Sequence, residues 1–405
     1  MTHSRQLVVL VGGKGTRLGA LSKSTPKPLM PVSEDKVFLD YFLESAVRQG
    51  FKEILLIAGH LGEQVSARYN HLKIHGADVS VLIEPEPKGT GGAFVFAMDH
   101  LAETFVAANG DTLFDINIRA VDAELHRSKD LLAVLALREI EDAGRYGSVE
   151  TNANGDITEF KEKNEMALGK RGLINGGIYA FRRSAIEKLK SLPASVETDL
   201  FPVLAQEGRI AGVKSSGYFL DIGLPETLAT ARAELPLRQR PAVFFDRDGV
   251  LNKDKAYVHK IDDWEWVDGA KDAIKLANDK GFAVIVVTNQ AGIGRGYYQE
   301  ADVWRLHQTI QEELHENGAF IDAFYYSPHH PEAIHSKYQI ISPLCRKPNS
   351  AMILRAARQH NLDLKRSVLI GDQLTDLAAA QSAGVNGHLF KGGNLLEVLS
   401  PLLLE

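Results

Sequence analysis

Residues 7–31 read LVVLVGGKGTRLGALSKSTPKPLMP, and the fold turns on how this stretch is parsed. A β-branched and leucine run without alternation is the pattern of a strand buried on both faces of a parallel sheet. It breaks into Gly12, Gly13 and Gly15, followed by Thr16 and two spaced cations, Arg17 and Lys27. Bare backbone can turn tightly and bring its N–H groups to anionic oxygens, so the loop is suited to cradle phosphate. Two common glycine loops do not fit. The dinucleotide pattern would need glycine where Leu18 stands, and the Gly-Lys-Ser/Thr pattern is absent at the required spacing. Lys27 lies between Pro26 and Pro28, so its backbone is restricted on both sides and its ammonium is placed with little entropy to lose.

GGKGTRLG followed by TPKPLMPV resembles the signature of the sugar-1-phosphate nucleotidyltransferases. Downstream, a helix is expected over 38–50 and strands at 53–58 and 79–85, the alternation of a doubly wound α/β sheet with its ligand at the carboxyl ends of the strands. The KGTGGA stretch at 88–93 reads as a loop into a helix at 93–102. The resemblance implies that Gly12, Gly13, Gly15 and Thr16 contact the nucleotide and that Gly89, Gly91 and Gly92 lie over its base. It also implies Arg17 on the departing pyrophosphate and Lys27 near the α-phosphate. Asp111, after the strand TFVAAN, and Asp221, ending YFLD, are two carboxylates delivered to one sheet edge, a set suited to nucleotide-bound Mg²⁺, and the resemblance gives them that role. A hairpin is expected over 145–163 with Asn154-Gly155 in its turn. Glu162 and Lys163 at its end could bind sugar hydroxyls and sugar phosphate, and Asn175, Gly176 and Gly177 stand where the family lets backbone approach the sugar ring.

Composition sets bounds on this reading. At 405 residues, two or three domains are expected. A hydrophobic content of 44% and a net charge of -6 without a basic block point to globular domains and away from nucleic acid as a partner. The single cysteine, Cys345, excludes an internal disulfide. No apolar run approaches the ~20 residues of a membrane span, so a soluble, cytoplasmic protein without a membrane partner is expected, and a homo-oligomer is compatible with the sequence. Charge and proline in RAELPLRQRP at 232–241 mark a boundary, dividing the chain into 1–237 and 238–405.

The second half opens with AVFFDRDGVLN at 242–252, a strand followed by Asp246 and Asp248, with Gly249 to turn the chain away. VIVVTNQ at 284–290 ends in Thr288 and Asn289, CRKP at 345–348 presents Arg346 and Lys347, and VLIGDQLTD at 368–376 supplies Asp372 and Asp376. Four strand-end motifs in this order resemble the haloacid dehalogenase (HAD) superfamily of phosphatases. The resemblance implies that Asp246 attacks phosphorus and Asp248 serves as acid and then base. It implies Thr288 and Lys347 on the phosphoryl oxygens, and Mg²⁺ on Asp246, Asp372 and the backbone carbonyl of Asp248. Asp376 could support that site or cap the helix that follows. With a helix at 269–280 filling the interval after Asp248, there is no room for a large cap, so loops must set specificity. TNQAGIGRGYY at 288–298 and SPHHPEA…CRKP look most like heptose-bisphosphate phosphatases, with Arg295 a ligand for a second phosphate or part of a surface ion pair. In those relatives a zinc loop carries Cys-x-His and Cys-x-Cys. Here Ser327, His329, Pro343 and Cys345 stand at the matching positions, two ligands short of a structural site, so zinc is not expected.

The fold expected is therefore α/β, with two doubly wound domains, an N-terminal nucleotidyltransferase Rossmann-like domain and a C-terminal HAD-like domain without a large cap. EPKGTGGA, NGDTLFDIN, RYGSV and GLINGGIYAF resemble heptose 1-phosphate guanylyltransferases. The partners implied are GTP and sugar phosphates, with Mg²⁺ in both domains. Another sugar or base, as in a uridylyltransferase acting on an amino sugar, or a module that senses nucleotide sugars without turnover, are the competing readings.

Overall fold

The computed structural model describes residues 3–13, 18–19, 21–141, 148–161 and 171–403. Arg17, Gly15, Thr16, Glu162 and Lys163, and Arg145–Gly147 of the RYGSV stretch, lie outside the described residues. The chain divides into two compact units, Met1–Leu237 and Arg238–Glu405.

In the first unit, β1 (Gln6–Leu10), β2 (Glu53–Ala58), β4 (Ala77–Ile83) and β5 (Thr104–Asn109) pair in parallel in the order β5-β1-β2-β4, and the short β3 (Lys73–Ile74) closes the edge. On the other side lie β10 (Gly172–Arg182), β7 (Ala133–Ile140) and β11 (Ile210–Ser215). The parallel strands are those expected of a doubly wound sheet, and β10, on whose direction the sequence is silent, runs antiparallel to both β5 and β7. A hairpin of β8 (Ser148–Thr151) and β9 (Ile157–Lys161) hangs from β10, and β6 (Thr112–Asp115) pairs with β12 (Tyr218–Asp221) in a separate two-stranded ribbon. The unbroken apolar run of β1 has a simple cause. Leu7 and Val9 face one core cluster with Phe38 and Phe42, while Val8 faces another with Leu55, Phe94, Phe105 and Phe181, so neither face can carry a polar residue.

The helix expected over 93–102 is also corrected. It spans Gly89–Phe96, so the four residues GTGG form its first turn rather than a loop. Gly91 and Gly92 both donate their amides to the Ala194 carbonyl (2.9 and 3.2 Å), and Thr90 Oγ1 reaches Glu197 (2.7 Å). The Ala194 carbonyl thus satisfies two backbone donors that a helix start otherwise leaves open.

The second unit is a five-stranded parallel sheet in the order β15-β14-β13-β16-β17, from β13 (Ala242–Phe245), β14 (Ala283–Asn289), β15 (Ala323–Ser327), β16 (Val368–Gly371) and β17 (Asn386–Leu389). Val243 and Phe245 face one apolar cluster and Ala242 and Phe244 the other. The chain winds outward from β13 to β15, then returns to place β16 on the opposite side of β13. That reversal opens a crevice at the carboxyl ends of β13 and β16, where Asp246 and Asp372 follow their strands.

Two candidate active sites

In the first unit the strand order reverses between β1 and β5, and the residues just past both strands line a cavity of about 330 Å³ with Lys27, Thr90, Asp111 and Gly223. Gly12 and Gly13 border it, but for different reasons. A Cβ on Gly12 would stand 2.9 Å from the Gly59 nitrogen, whereas one on Gly13 would meet nothing within 4 Å among the described residues. Gly12 thus lets two backbones pass, and Gly13 leaves space open for a ligand.

Lys27 begins a single 3-10 turn, Lys27–Leu29, directly after Pro26. Its Nζ lies 2.7 Å from Asp111 Oδ2 and 3.0 Å from Asp221 Oδ1. The ammonium side chain is 10% exposed, and the carboxylates are 39% and 35% exposed. Two carboxylates from β5 and β12 therefore converge on one cation, which is the donor set a divalent metal needs.

Gly176 and Gly177 sit in a bulge of β10 between Asn175 and Tyr179. A Cβ on Gly176 would press on the Phe114 ring at 2.5 Å, and Gly177 has a φ of +78°. Asn175 accepts the Gly177 amide (2.9 Å) and donates to the buried Tyr179 hydroxyl (2.9 Å). These three residues shape the bulge through contacts within the protein. The amides of Gly91 and Gly92 are bonded to Ala194 and both residues are buried, which leaves Gly89 exposed and Thr90 half-buried at the surface of that turn.

In the second unit, Lys347 Nζ is 2.8 Å from Asp246 Oδ1, 2.6 Å from Asp376 Oδ1 and 2.9 Å from the Val287 carbonyl. Its side chain is 3% exposed. Burial alone would lower its pKa, but the two carboxylates raise it, so it stays an ammonium. Burial pushes Asp246 up to about 6, against the pull of Lys347 and with the push of Asp376. Asp246, Asp372 and Asp376 offer oxygens within 4.8 Å of one another. Asp372 Oδ1 is buried without a hydrogen-bond partner among the described residues, as a carboxylate oxygen reserved for a metal would be. Gly249 has a φ of +88°, and a Cβ there would stand 2.5 Å from Asp372 Oδ2, so only glycine lets the loop pass the acidic cluster.

Asp248 is held on several sides. Its carboxylate accepts from Arg247 (2.8 and 2.9 Å), Asn252 (3.1 Å) and Gln290 (2.9 Å). Gln290 also donates to Thr288 Oγ1 (3.0 Å) and accepts from Tyr298 (2.7 Å). Asn289 exchanges hydrogen bonds with the Lys347 backbone (3.1 and 3.2 Å), so it fastens the lysine loop to the end of β14. Arg295 donates to Tyr257 (3.0 Å), to Glu332 (3.1 Å) and toward the His330 ring (3.2 Å). Burial first, then Arg295, depress the Arg346 pKa. Burial, Arg295 and Arg346 together depress that of His330. Of the two readings of Arg295, the structure shows the ion pair, with Glu332. Sequence reasoning left Arg247, Asn252 and Gln290 without roles and kept two for Asp376. The structure shows Asp376 capping the helix, since its Oδ2 accepts the Gln373 amide (3.0 Å) at the helix start, and places its carboxylate beside those of Asp246 and Asp372.

At the positions that match the zinc loop, Cys345 Sγ lies 3.1 Å from His329 Nδ1 and 3.4 Å from Ser327 Oγ. Three of the four matching positions meet through hydrogen bonds, as thiol, imidazole and hydroxyl.

Residues 6–237 match the nucleotidyl transferase family, and residues 344–397 match the HAD-hydrolase-like family. A D-glycero-β-D-manno-heptose-1,7-bisphosphate 7-phosphatase of Haemophilus ducreyi is 44% identical over 147 residues, 36% of this chain and 80% of the relative. A structure of HddC from Yersinia pseudotuberculosis complexed with GMP-PN has 30% identity over 58% of this chain and all of that one, with a TM-score of 0.49. A putative glucose-1-phosphate thymidylyltransferase from Bacillus anthracis, solved with sucrose, has 23% identity over 56% of this chain and 94% of that one, with a TM-score of 0.50, and shares the fold of the first unit.

Proposed function

This chain belongs to the nucleotidyl transferase family through its first unit and to the heptose-bisphosphate phosphatases of HAD type through its second, and on that basis we propose two consecutive reactions. The second unit removes the 7-phosphate of D-glycero-D-manno-heptose 1,7-bisphosphate. The first unit joins the resulting 1-phosphate to GMP from GTP, giving GDP-heptose and pyrophosphate in the cytoplasm. The observation that carries this reading is the 44% identity across four-fifths of a heptose-1,7-bisphosphate 7-phosphatase. Removing the 7-phosphate leaves a sugar 1-phosphate, the class of substrate that a sugar nucleotidyltransferase consumes. Guanine is favoured by the likeness of EPKGTGGA, NGDTLFDIN and GLINGGIYAF to the heptose guanylyltransferases.

In the phosphatase, Asp246 attacks phosphorus to give an aspartyl phosphate while Asp248 protonates the departing sugar oxygen; Asp248 then takes a proton from the water that hydrolyses the intermediate. Lys347 and Thr288 hold the phosphoryl oxygens, and Arg295 and Arg346 take the substrate's other phosphate. In the transferase, the sugar phosphate oxygen is already anionic, so no general base is required and catalysis is positioning and charge neutralisation. Arg17, Lys27 and Lys163 supply that charge, and Glu162 takes sugar hydroxyls. Mg²⁺ would be held by Asp111 and Asp221 in the first unit and by Asp246, Asp372 and the Asp248 carbonyl in the second. When bound it neutralises phosphoryl oxygens.

The test is phosphate release from heptose 1,7-bisphosphate with Mg²⁺, followed by each nucleoside triphosphate in turn with detection of pyrophosphate and nucleotide sugar. Conversion with GTP is expected, with the first step lost in Asp246→Asn and the second in Asp111→Asn. Turnover of another sugar phosphate, or with another base, would overturn the substrates and keep the chemistry.

A further inference from the structure

The residue between the two aspartates of the phosphatase loop is wholly enclosed. Arg247 is fully buried. Its backbone N–H donates to Asp246 Oδ1 (2.7 Å), and its guanidinium reaches both oxygens of Asp248 through Nη2 (2.9 and 2.8 Å), with Nε at 3.3 Å from Oδ1. One residue thus touches both groups assigned to the chemistry. The guanidinium is fixed in turn, since Nη2 also donates to the Val258 carbonyl (2.6 Å). Behind it, burial and the Arg247 charge hold the enclosed His307 ring neutral, so no second cation pushes the guanidinium out.

We propose that Arg247 is a positioning residue for the phosphatase: its buried guanidinium fixes the Asp248 carboxyl at the angle from which it delivers a proton to the leaving oxygen and later removes one from water. Asp248 is 23% exposed on its side chain, whereas Arg247 is 0% exposed, so the carboxylate faces the crevice and the arginine anchors it from within. If Asp248 swung away it would strand a buried charge, which makes the bond a strong restraint. Asn252 and Gln290 refine the angle from the sides, but each supplies a single neutral donor. A planar two-nitrogen edge fixes a carboxylate's orientation as a point donor cannot.

The inference rests on Asp246 as nucleophile and Asp248 as acid and base, and leaving-group chemistry separates its failure from theirs. In the first step the Asp246 oxygen forms a bond to phosphorus as the ester P–O bond breaks, and the leaving oxygen takes the Asp248 proton. In the second, water attacks phosphorus, the P–O bond to Asp246 breaks, and the water proton goes to Asp248. p-Nitrophenolate leaves without a proton, phenolate leaves poorly without one, and every substrate needs the base in the second step.

The full chain with Mg²⁺ would be mixed rapidly with p-nitrophenyl phosphate and with phenyl phosphate, using the wild type, Asp246→Asn, Asp248→Asn and Arg247→Lys. Arg247→Lys is expected to release about one equivalent of nitrophenolate rapidly and then turn over slowly, with steady-state turnover down about 10²-fold, the scale of lost acid–base catalysis, and KM falling with it because hydrolysis of the intermediate becomes limiting. With phenyl phosphate the first step itself should slow. Asp248→Asn should behave in the same way, and Asp246→Asn should give no burst. Arg247→Gln, which keeps a donor in the same space, replaces Arg247→Lys if thermal melting shows that variant unfolded. Wild-type rates with both esters would overturn the proposal, as would equal losses with both and no burst in a variant that melts like the wild type. Absence of the burst in Asp248→Asn would overturn the acid–base assignment beneath it.

Discussion

Each unit centres on a lysine set between two aspartates, but the two lysines differ in enclosure. Lys347 is buried with Asp246 and Asp376, whereas Lys27 bridges carboxylates that are more than a third exposed to solvent, so its bonds are open to exchange. An ammonium held by Asp111 and Asp221 competes with a divalent cation for the same oxygens, and a nucleotide phosphate offers Lys27 another anion. Lys27→Met is therefore expected to bind Mn²⁺ more tightly than the wild type without nucleotide, read by titration in an Asp372→Asn background that weakens the second site. Pyrophosphate release should fall by about 10²-fold or more, with phosphate release from the other unit unchanged in the single variant; equal loss of both would sink the assignment. Asp246 brings a pH dependence. Its folded pKa, pushed up mainly by burial, is about 6 against 3.8 for the free side chain. The folded protein holds this proton more tightly than the unfolded chain, so the contribution to stability is full below pH ~4 and is lost as pH rises through ~6. A metal on the ionised carboxylate offsets that loss. The rise in melting temperature on adding Mg²⁺ should accordingly be larger at pH 7.5 than at pH 5, and an equal rise at both would remove Asp246 from the ligand set.

Elements were legible in the sequence where one physical constraint acted alone. β1, β2, β13, β14 and β16 are buried on both faces, which forces continuous apolar runs, and the aspartates and threonine that end them fall at sheet edges for the same reason. The direction of β10 was not legible, because side-chain pattern carries no information on whether a buried strand runs parallel or antiparallel to its neighbours. The GTGG turn was misread because glycine weighs against helix locally, and the Ala194 carbonyl that anchors it lies a hundred residues away in sequence. Arg247, Asn252 and Gln290 belong to the same class, since their partners come together only across loops. The anchored turn carries its own prediction. Gly89 has a φ of +83°, and a Cβ there would stand 2.3 Å from the Ala194 carbonyl oxygen. Gly89→Ala should destabilise the first unit by about 1–3 kcal/mol, from a left-handed residue and a backbone clash together. Chemical denaturation followed by pyrophosphate release would register the loss, while phosphate release from the second unit should keep its wild-type midpoint.

At the scale of the whole molecule, each unit has its own sheet with apolar clusters on both faces, and each carries a lysine paired with aspartates past its strand ends. The described residues of each site come from that unit's own strands and loops, and each chemistry should survive loss of the other. Covalent connection contributes local concentration of the shared intermediate, and a mixing experiment isolates that contribution. Asp246→Asn keeps the transferase and Asp111→Asn keeps the phosphatase. An equimolar mixture of the two full chains, at the same total concentration as the wild type, contains half of each working site. If the sugar 1-phosphate leaves one unit and enters the other through solution, the mixture should reach about half the wild-type rate of nucleotide-sugar formation. Both samples should show a lag while the intermediate accumulates, and pyrophosphatase-coupled detection would follow it. A wild type without a lag, beside a mixture with a long one, would mean that the intermediate is handed over within one chain, and the units would then have to be treated as one catalyst rather than two.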